Sequence, residues 1–133
     1  MTSRALVYGD IDLNLIDGSA IWLQSVTQAL ARAGCAVTLV LKAPVRTSRL
    51  IAPLLAEPGI TVRRPFEEHL LQGLDGVQGS GSLRPAAATD LLARLDAEQR
   101  HDLVVLRGRA LTAAAARSEA FTGWLWPYLT DVP

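Results

Sequence analysis

Ala5-Leu6-Val7-Tyr8, an amphipathic stretch over residues 19–33, Gly34 and Val37-Thr38-Leu39-Val40-Leu41 follow one another along the chain. This succession decides the fold. Both apolar runs are continuous rather than alternating, as strands covered on both faces are. Between them, Leu23, Val26, Leu30 and Ala33 recur at helical spacing and predict one buried stripe. Gly34 stands where a helix stop is expected. Strand, helix, glycine and strand within about 35 residues make a βαβ unit, which strongly favours a parallel sheet with a right-handed crossover.

The same alternation continues outward from this unit. A weaker helix is predicted over residues 48–55, ended by Glu57-Pro58-Gly59, and a short third strand over 60–63. Residues 65–84 carry no clear period. Gly73, Gly76, Gly79 and Gly81 break them, and Gly79-Ser80-Gly81-Ser82 reads as a flexible loop. Pro85 opens a helix to about Gln99, with Leu91, Leu92 and Leu95 on its apolar face. Asp90–Arg94 and Asp96–Arg100 are favourable four-residue pairs on it. Leu103-Val104-Val105-Leu106 is a fourth buried strand, residues 110–120 an alanine-rich helix, and residues 124–129 a fifth strand. Pro127 counts against a central position, because it has no N–H to give a ladder, and favours an edge strand or a bulge. The expectation is one α/β domain over residues 1–133, a Rossmann-like doubly wound sheet of about five parallel strands ordered 3-2-1-4-5 with helices on both faces.

Composition excludes several functions. The 133 residues are 50% hydrophobic and 20% charged, and 13 basic residues balance 13 acidic ones. That is apolar material enough for a core, which rules out a disordered tail. Zero net charge lacks the field of a general nucleic-acid binder. The single cysteine, Cys35, excludes an internal disulfide framework and any multi-cysteine metal site. No apolar run approaches the roughly 18 residues of a membrane span. Met1-Thr2-Ser3-Arg4 leads directly into a strand, so the chain reads as soluble and cytoplasmic.

Ligands of open parallel sheets bind beyond the carboxyl ends of the strands, where the order reverses. The predicted ends are Gly9-Asp10, Lys42, Arg63-Arg64, Arg107-Gly108-Arg109 and Thr130-Asp131. Five of the thirteen basic residues fall at three of these ends. They are either solvated loop residues or a basic rim suited to a phosphate or carboxylate. Asp17-Gly18-Ser19 is the second feature. Its glycine would let a ligand approach the first turn of the helix, whose free N–H groups favour an anion. The plainer reading is that Gly18 turns the chain and Asp17 or Ser19 caps the helix. No G-x-G-x-x-G follows the first strand, and no P-loop signature occurs. His69 reads as a surface histidine, His101 as a loop residue before the fourth strand, and Cys35 as a packed thiol.

Several of these segments resemble a known family. Ala5-Leu6-Val7-Tyr8, then Asp17-Gly18-Ser19-Ala20, then Leu23 through Ala29-Leu30-Ala31-Arg32-Ala33-Gly34-Cys35-Ala36-Val37-Thr38-Leu39-Val40 resembles the start of GT-B glycosyltransferases of the large retaining group. Asp102-Leu103-Val104-Val105-Leu106-Arg107-Gly108 is similar to a later strand of that family. Trp126-Pro127-Tyr128-Leu129-Thr130-Asp131-Val132-Pro133 is similar to the strand where many members read His-Asp-x-Pro. The resemblance implies an N-terminal Rossmann-like domain that binds a sugar or glycolipid acceptor. A nucleotide sugar donor would be gripped by a C-terminal domain absent from these 133 residues, so the chain reads as a fragment, inactive alone. The resemblance also implies metal-independent transfer, with no cofactor, metal ligand or catalytic residue of its own in this chain. The substrate- and phosphate-binding residues it implies, with those read from the strand ends, are Asp17, Gly18, Ser19, Lys42, Arg107, Thr130 and Asp131. Asp17 replaces the first of two adjacent glycines, and Thr130 replaces the histidine. The other reading is a stand-alone flavodoxin-like binding or regulatory domain whose basic rim takes a small anion. A third reading is an interaction module: ending after the fifth strand would leave Trp124, Trp126 and an unpaired sheet edge exposed, which predicts self-association.

Overall fold

The computed structural model of the chain describes residues 2–72, 83–118, 120, 121 and 123–128. Its elements are β1 (Arg4–Tyr8), α1 (Gly18–Arg32), β2 (Ala36–Val40), α2 (Ile51–Ala56), β3 (Ile60–Arg63), α3 (Pro85–Glu98), β4 (Leu103–Arg107), α4 (Arg109–Arg117) and β5 (Trp124–Tyr128). The strands form one all-parallel sheet in the order β3-β2-β1-β4-β5. This is the Rossmann-type order expected from the sequence. A flavodoxin-like sheet is ordered 2-1-3-4-5. The glycine-rich segment 73–82 lies outside the described residues.

Successive residues of a strand face opposite sides of the sheet. Ala5 and Val7 of β1 therefore enter one core with Val37 and Leu39 of β2 and with Ala20, Leu23, Ile51 and Leu54 of α1 and α2. Leu6 and Tyr8 enter a second core with Val104 and Leu106 of β4 and with Ala88, Leu91, Leu92, Leu95 and Leu111 of α3 and α4. Both faces of the sheet are thus covered, which accounts for the uninterrupted apolar runs.

Helix α1 shows how the local chemistry works. Asp17 is extended and its Oδ1 accepts the Ala20 N–H at 2.9 Å, which caps the helix. At the other end Gly34, with φ +100°, donates to Ala31 O (3.1 Å), and Cys35 donates to Leu30 O (3.1 Å). These two bonds make a Schellman stop. The buried stripe differs from the expected one at its end. Ala33 is the C-cap and exposed, while Ala20 and Thr27 are buried with Leu23. Thr27 tolerates burial because its hydroxyl donates to Leu23 O at 2.7 Å.

β5 lies at the sheet edge, one of the two places that Pro127 favoured, and Trp126 on it is 44% exposed. On α3, Arg100 pairs with Asp96 as expected (2.9 Å), but Arg94 turns its guanidinium to the Gln72 carbonyl at 3.4 Å instead of to Asp90.

Candidate functional site

The parallel register brings three loop residues into a row at the carboxyl edge. Val7 is level with Leu39, and Tyr8 with Leu106. Continued past the strand ends, these registers set Asp10 beside Lys42 on one side and beside Gly108 on the other. The side chains meet accordingly. Lys42 Nζ lies 3.2 Å from Asp10 Oδ1 and 3.4 Å from the Asp10 carbonyl oxygen. The Tyr8 hydroxyl donates to the same Oδ1 at 3.4 Å. Burial of Tyr8, with the negative charge of Asp10 and the hydrogen bond to it, pushes the phenol pKa well above its usual value. Tyr8 is therefore a neutral donor at any physiological pH.

Asp10 itself has φ +53°. A non-glycine residue in the left-handed region is uncommon, and such residues cluster at functional sites. Gly108, at the head of α4, has φ +110°. A Cβ placed on Gly108 would lie 3.5 Å from Asp10 Oδ2.

The loop after β1 is braced against the loop after β2. Asp12 Oδ1 accepts from the Asn14 backbone N–H (2.9 Å) and from Asn14 Nδ2 (2.7 Å). Asn14 Oδ1 in turn accepts from the backbones of Arg46 (2.6 Å) and Thr47 (2.9 Å), and its Nδ2 donates to Pro44 O (2.8 Å). Arg46 adds an ion pair to Asp12 at 3.1 Å. Nothing in the sequence pattern singled out Asn14 from the other turn residues around it.

Three of the five basic residues of the expected rim have side-chain partners within the chain. Lys42 is paired with Asp10. Arg63 is paired with Glu68 at 2.9 Å, and the Arg64 N–H donates to Glu68 Oε2 at 2.5 Å. Desolvation works against the Glu68 carboxylate, but these bonds and the charges of Arg63 and Arg64 outweigh it and hold its pKa below the usual value. Arg107 stacks over the Trp22 ring, 5.7 Å from its centroid. Of the residues expected at the site, Asp17 caps α1, Ser19 is half-buried, and Gly18 is exposed at the first turn. Thr130 and Asp131 lie outside the described residues.

The opposite edge carries an open cleft of about 790 Å³ lined by Thr2, Ser3, Arg4, Gln99, Arg100 and Asp102. Behind it sits a pair that the sequence reading missed. His101 is no plain loop residue: it is 6% exposed, and its backbone N–H (2.9 Å) and Nδ1 (3.0 Å) both meet Oδ1 of fully buried Asp96. Arg100 donates to Asp96 Oδ2 at 2.9 Å and to Ala120 O at 2.7 Å. These bonds tie the end of α3 to the start of β4 and to the approach to β5, a structural clamp. Among the described residues no group of three or more His, Cys, Asp or Glu could hold a metal ion, and no helix is long and apolar enough to cross a membrane.

The chain is thus an open, all-parallel α/β domain of the Rossmann type that presents a paired carboxylate and ammonium beyond the carboxyl ends of β1 and β2, beside the point between β1 and β4 where its strand order reverses. No protein-family model, no curated protein and no solved structure matches it.

Proposed function

We propose that this chain is the acceptor-side Rossmann-like domain of a GT-B nucleotide-sugar glycosyltransferase, working with a separate donor-binding domain. The observation that carries the reading is the surroundings of Gly18. Among the described residues a Cβ there would meet no atom within 4 Å, and its φ is outside the range reserved for glycine. Neither packing nor backbone geometry of this chain calls for glycine at the first helical position, where glycine costs helix stability. A ligand lying against the backbone does call for it. The resemblance puts the donor phosphates at this turn, with the free N–H groups of the first turn directed at them.

Asp17 shapes that contact. Its capping bond turns Oδ1 toward the Ala20 N–H, and its charge opposes a phosphate at close range. Phosphate charge therefore has to be met mainly by the donor-binding domain. The isolated chain is expected to bind a nucleotide sugar weakly and to catalyse no transfer; robust turnover by the 133 residues alone would overturn the reading.

Substitution at Gly18 separates a ligand role from a structural one. Gly18→Ala is expected to leave stability unchanged or raise it by up to about 1 kcal/mol. Gly18→Leu is expected to keep the wild-type melting temperature and to weaken nucleotide-sugar binding about tenfold or more, read by calorimetry on the protein from the complete reading frame. Unchanged binding by Gly18→Leu would remove the turn from the site. The anion-binding alternative has less support, because Lys42 and Arg63, two of the five cations that prompted it, are paired with carboxylates.

A further inference from the structure

We propose that Asp10 and Lys42 form a hydroxyl-recognition pair, and that the row Lys42–Asp10–Gly108 takes a neutral polyhydroxyl compound, a sugar, rather than an anion. This rests on the glycosyltransferase reading for the ligand's role as acceptor, but its chemistry is read from the row alone.

Charge comes first. The two side chains are about equally exposed, 24% for Asp10 and 26% for Lys42, and they are 3.2 Å apart. A phosphate brought to Lys42 Nζ also feels the Asp10 carboxylate 3.2 Å from that nitrogen, and the repulsion offsets much of the attraction. A neutral hydroxyl uses both groups, because it donates and accepts at once. Hydrogen bonds to an ionised partner are also the stronger kind.

Free valences come second. Asp10 Oδ1 is engaged by Lys42 and by Tyr8. Oδ2 faces Gly108, the one residue type that brings no side chain toward it. Lys42 has three donors; one goes to the Asp10 carbonyl oxygen, and Nζ also lies 3.2 Å from Oδ1 as an ion pair. Among the described residues, Oδ2 keeps acceptor capacity beside donor capacity at Nζ, the pattern that adjacent hydroxyls of a sugar satisfy.

Preorganisation comes third. Asp10 holds a left-handed backbone that places its carbonyl oxygen within reach of Lys42. Tyr8, buried in the second core, anchors Oδ1 from below. The pair is set before a ligand arrives, which lowers the ordering cost of binding.

The test is a nitrogen-15 amide titration of the chain with methyl α-glucopyranoside, methyl α-mannopyranoside, methyl β-galactopyranoside and myo-inositol. Each is taken to roughly 100 mM, the range in which a few hydrogen bonds hold a small ligand. At least one is expected to shift the Asp10 and Gly108 amides saturably. Asp10→Asn is expected to weaken that binding about tenfold or more, with the remaining amide shifts unchanged. Inorganic phosphate is expected to leave the wild-type row untouched and to bind Asp10→Asn, where the Lys42 charge is released. Three results each overturn the proposal: no polyol shifts the row, Asp10→Asn binds the polyol as well as wild type, or phosphate binds the wild-type row. The two readings fail separately. If a sugar occupies the row but the complete protein consumes no nucleotide sugar, the pair stands and the glycosyltransferase reading falls. If nucleotide sugar is consumed while no polyol touches the row, the reverse holds.

Discussion

Asp96→Ala is expected to cost about 3 kcal/mol or more of unfolding free energy, measured by urea denaturation followed by circular dichroism. Asp96 is fully buried and accepts three hydrogen bonds, two from His101 and one from Arg100. Its removal strands the buried His101 N–H and imidazole, and each buried donor left without a partner costs about 1–3 kcal/mol. Arg100 is half exposed and recovers its solvation from water, so it adds little. Asp96→Asn keeps an acceptor for the His101 N–H and is expected to lose clearly less than Asp96→Ala. A loss below about 1 kcal/mol for the alanine variant would show that water replaces the carboxylate and that the clamp is not structural.

Gly123→Ala is expected to be of similar size, with a different signature. Gly123 precedes β5 and packs onto the backbone of His101 and Asp102. A Cβ there would overlap the His101 carbonyl oxygen and lie 3.0 Å from both the Asp102 carbonyl carbon and oxygen. Backbone atoms at the start of β4 cannot move aside as a flexible side chain does. The β4–β5 ladder, which pairs Leu103 with Trp124 through Arg107 with Tyr128, has to shift. Overpacking of this kind costs about 1–3 kcal/mol and at times more. Amide exchange is expected to accelerate in β4 and β5 and to stay slow in β2. Uniform acceleration across the sheet, or none, would contradict the local clash.

Gly9 offers a contrast. A Cβ there would come 2.9 Å from Leu23 Cδ1. The obstacle is the end of a leucine side chain, which moves at smaller cost than a carbonyl group.

The architecture was legible because burial on both faces writes itself into continuous apolar runs, and because a βαβ unit has one hand. The strand order came from the doubly wound arrangement that such a succession of units adopts, and the sheet has it. The site was legible only as a set of strand ends. Lys42 and Asp10 are 32 positions apart, and their pairing appears only when the register of β1 on β2 is known. Without the register, five cations at strand ends looked like a rim. With it, Lys42 and Arg63 are neutralised by Asp10 and Glu68. The Asp96–His101 pair had a readable trace. Asp96 falls one turn after Leu92, on the apolar stripe of α3, where a solvated acid does not belong. Reading it only as the partner of Arg100, four residues on, hid the second partner. Gly123 left no trace, because a close approach between backbones is not a property of either segment alone.

A role in sugar transfer is tested by the release of nucleoside diphosphate from nucleotide sugars by the protein of the complete reading frame, with neutral glycosides supplied as acceptors. The expected result is release that depends on the glycoside and falls about tenfold or more in both Gly18→Leu and Asp10→Asn, while both variants melt as the wild type does. No release with any donor, or release that neither substitution alters, would contradict it.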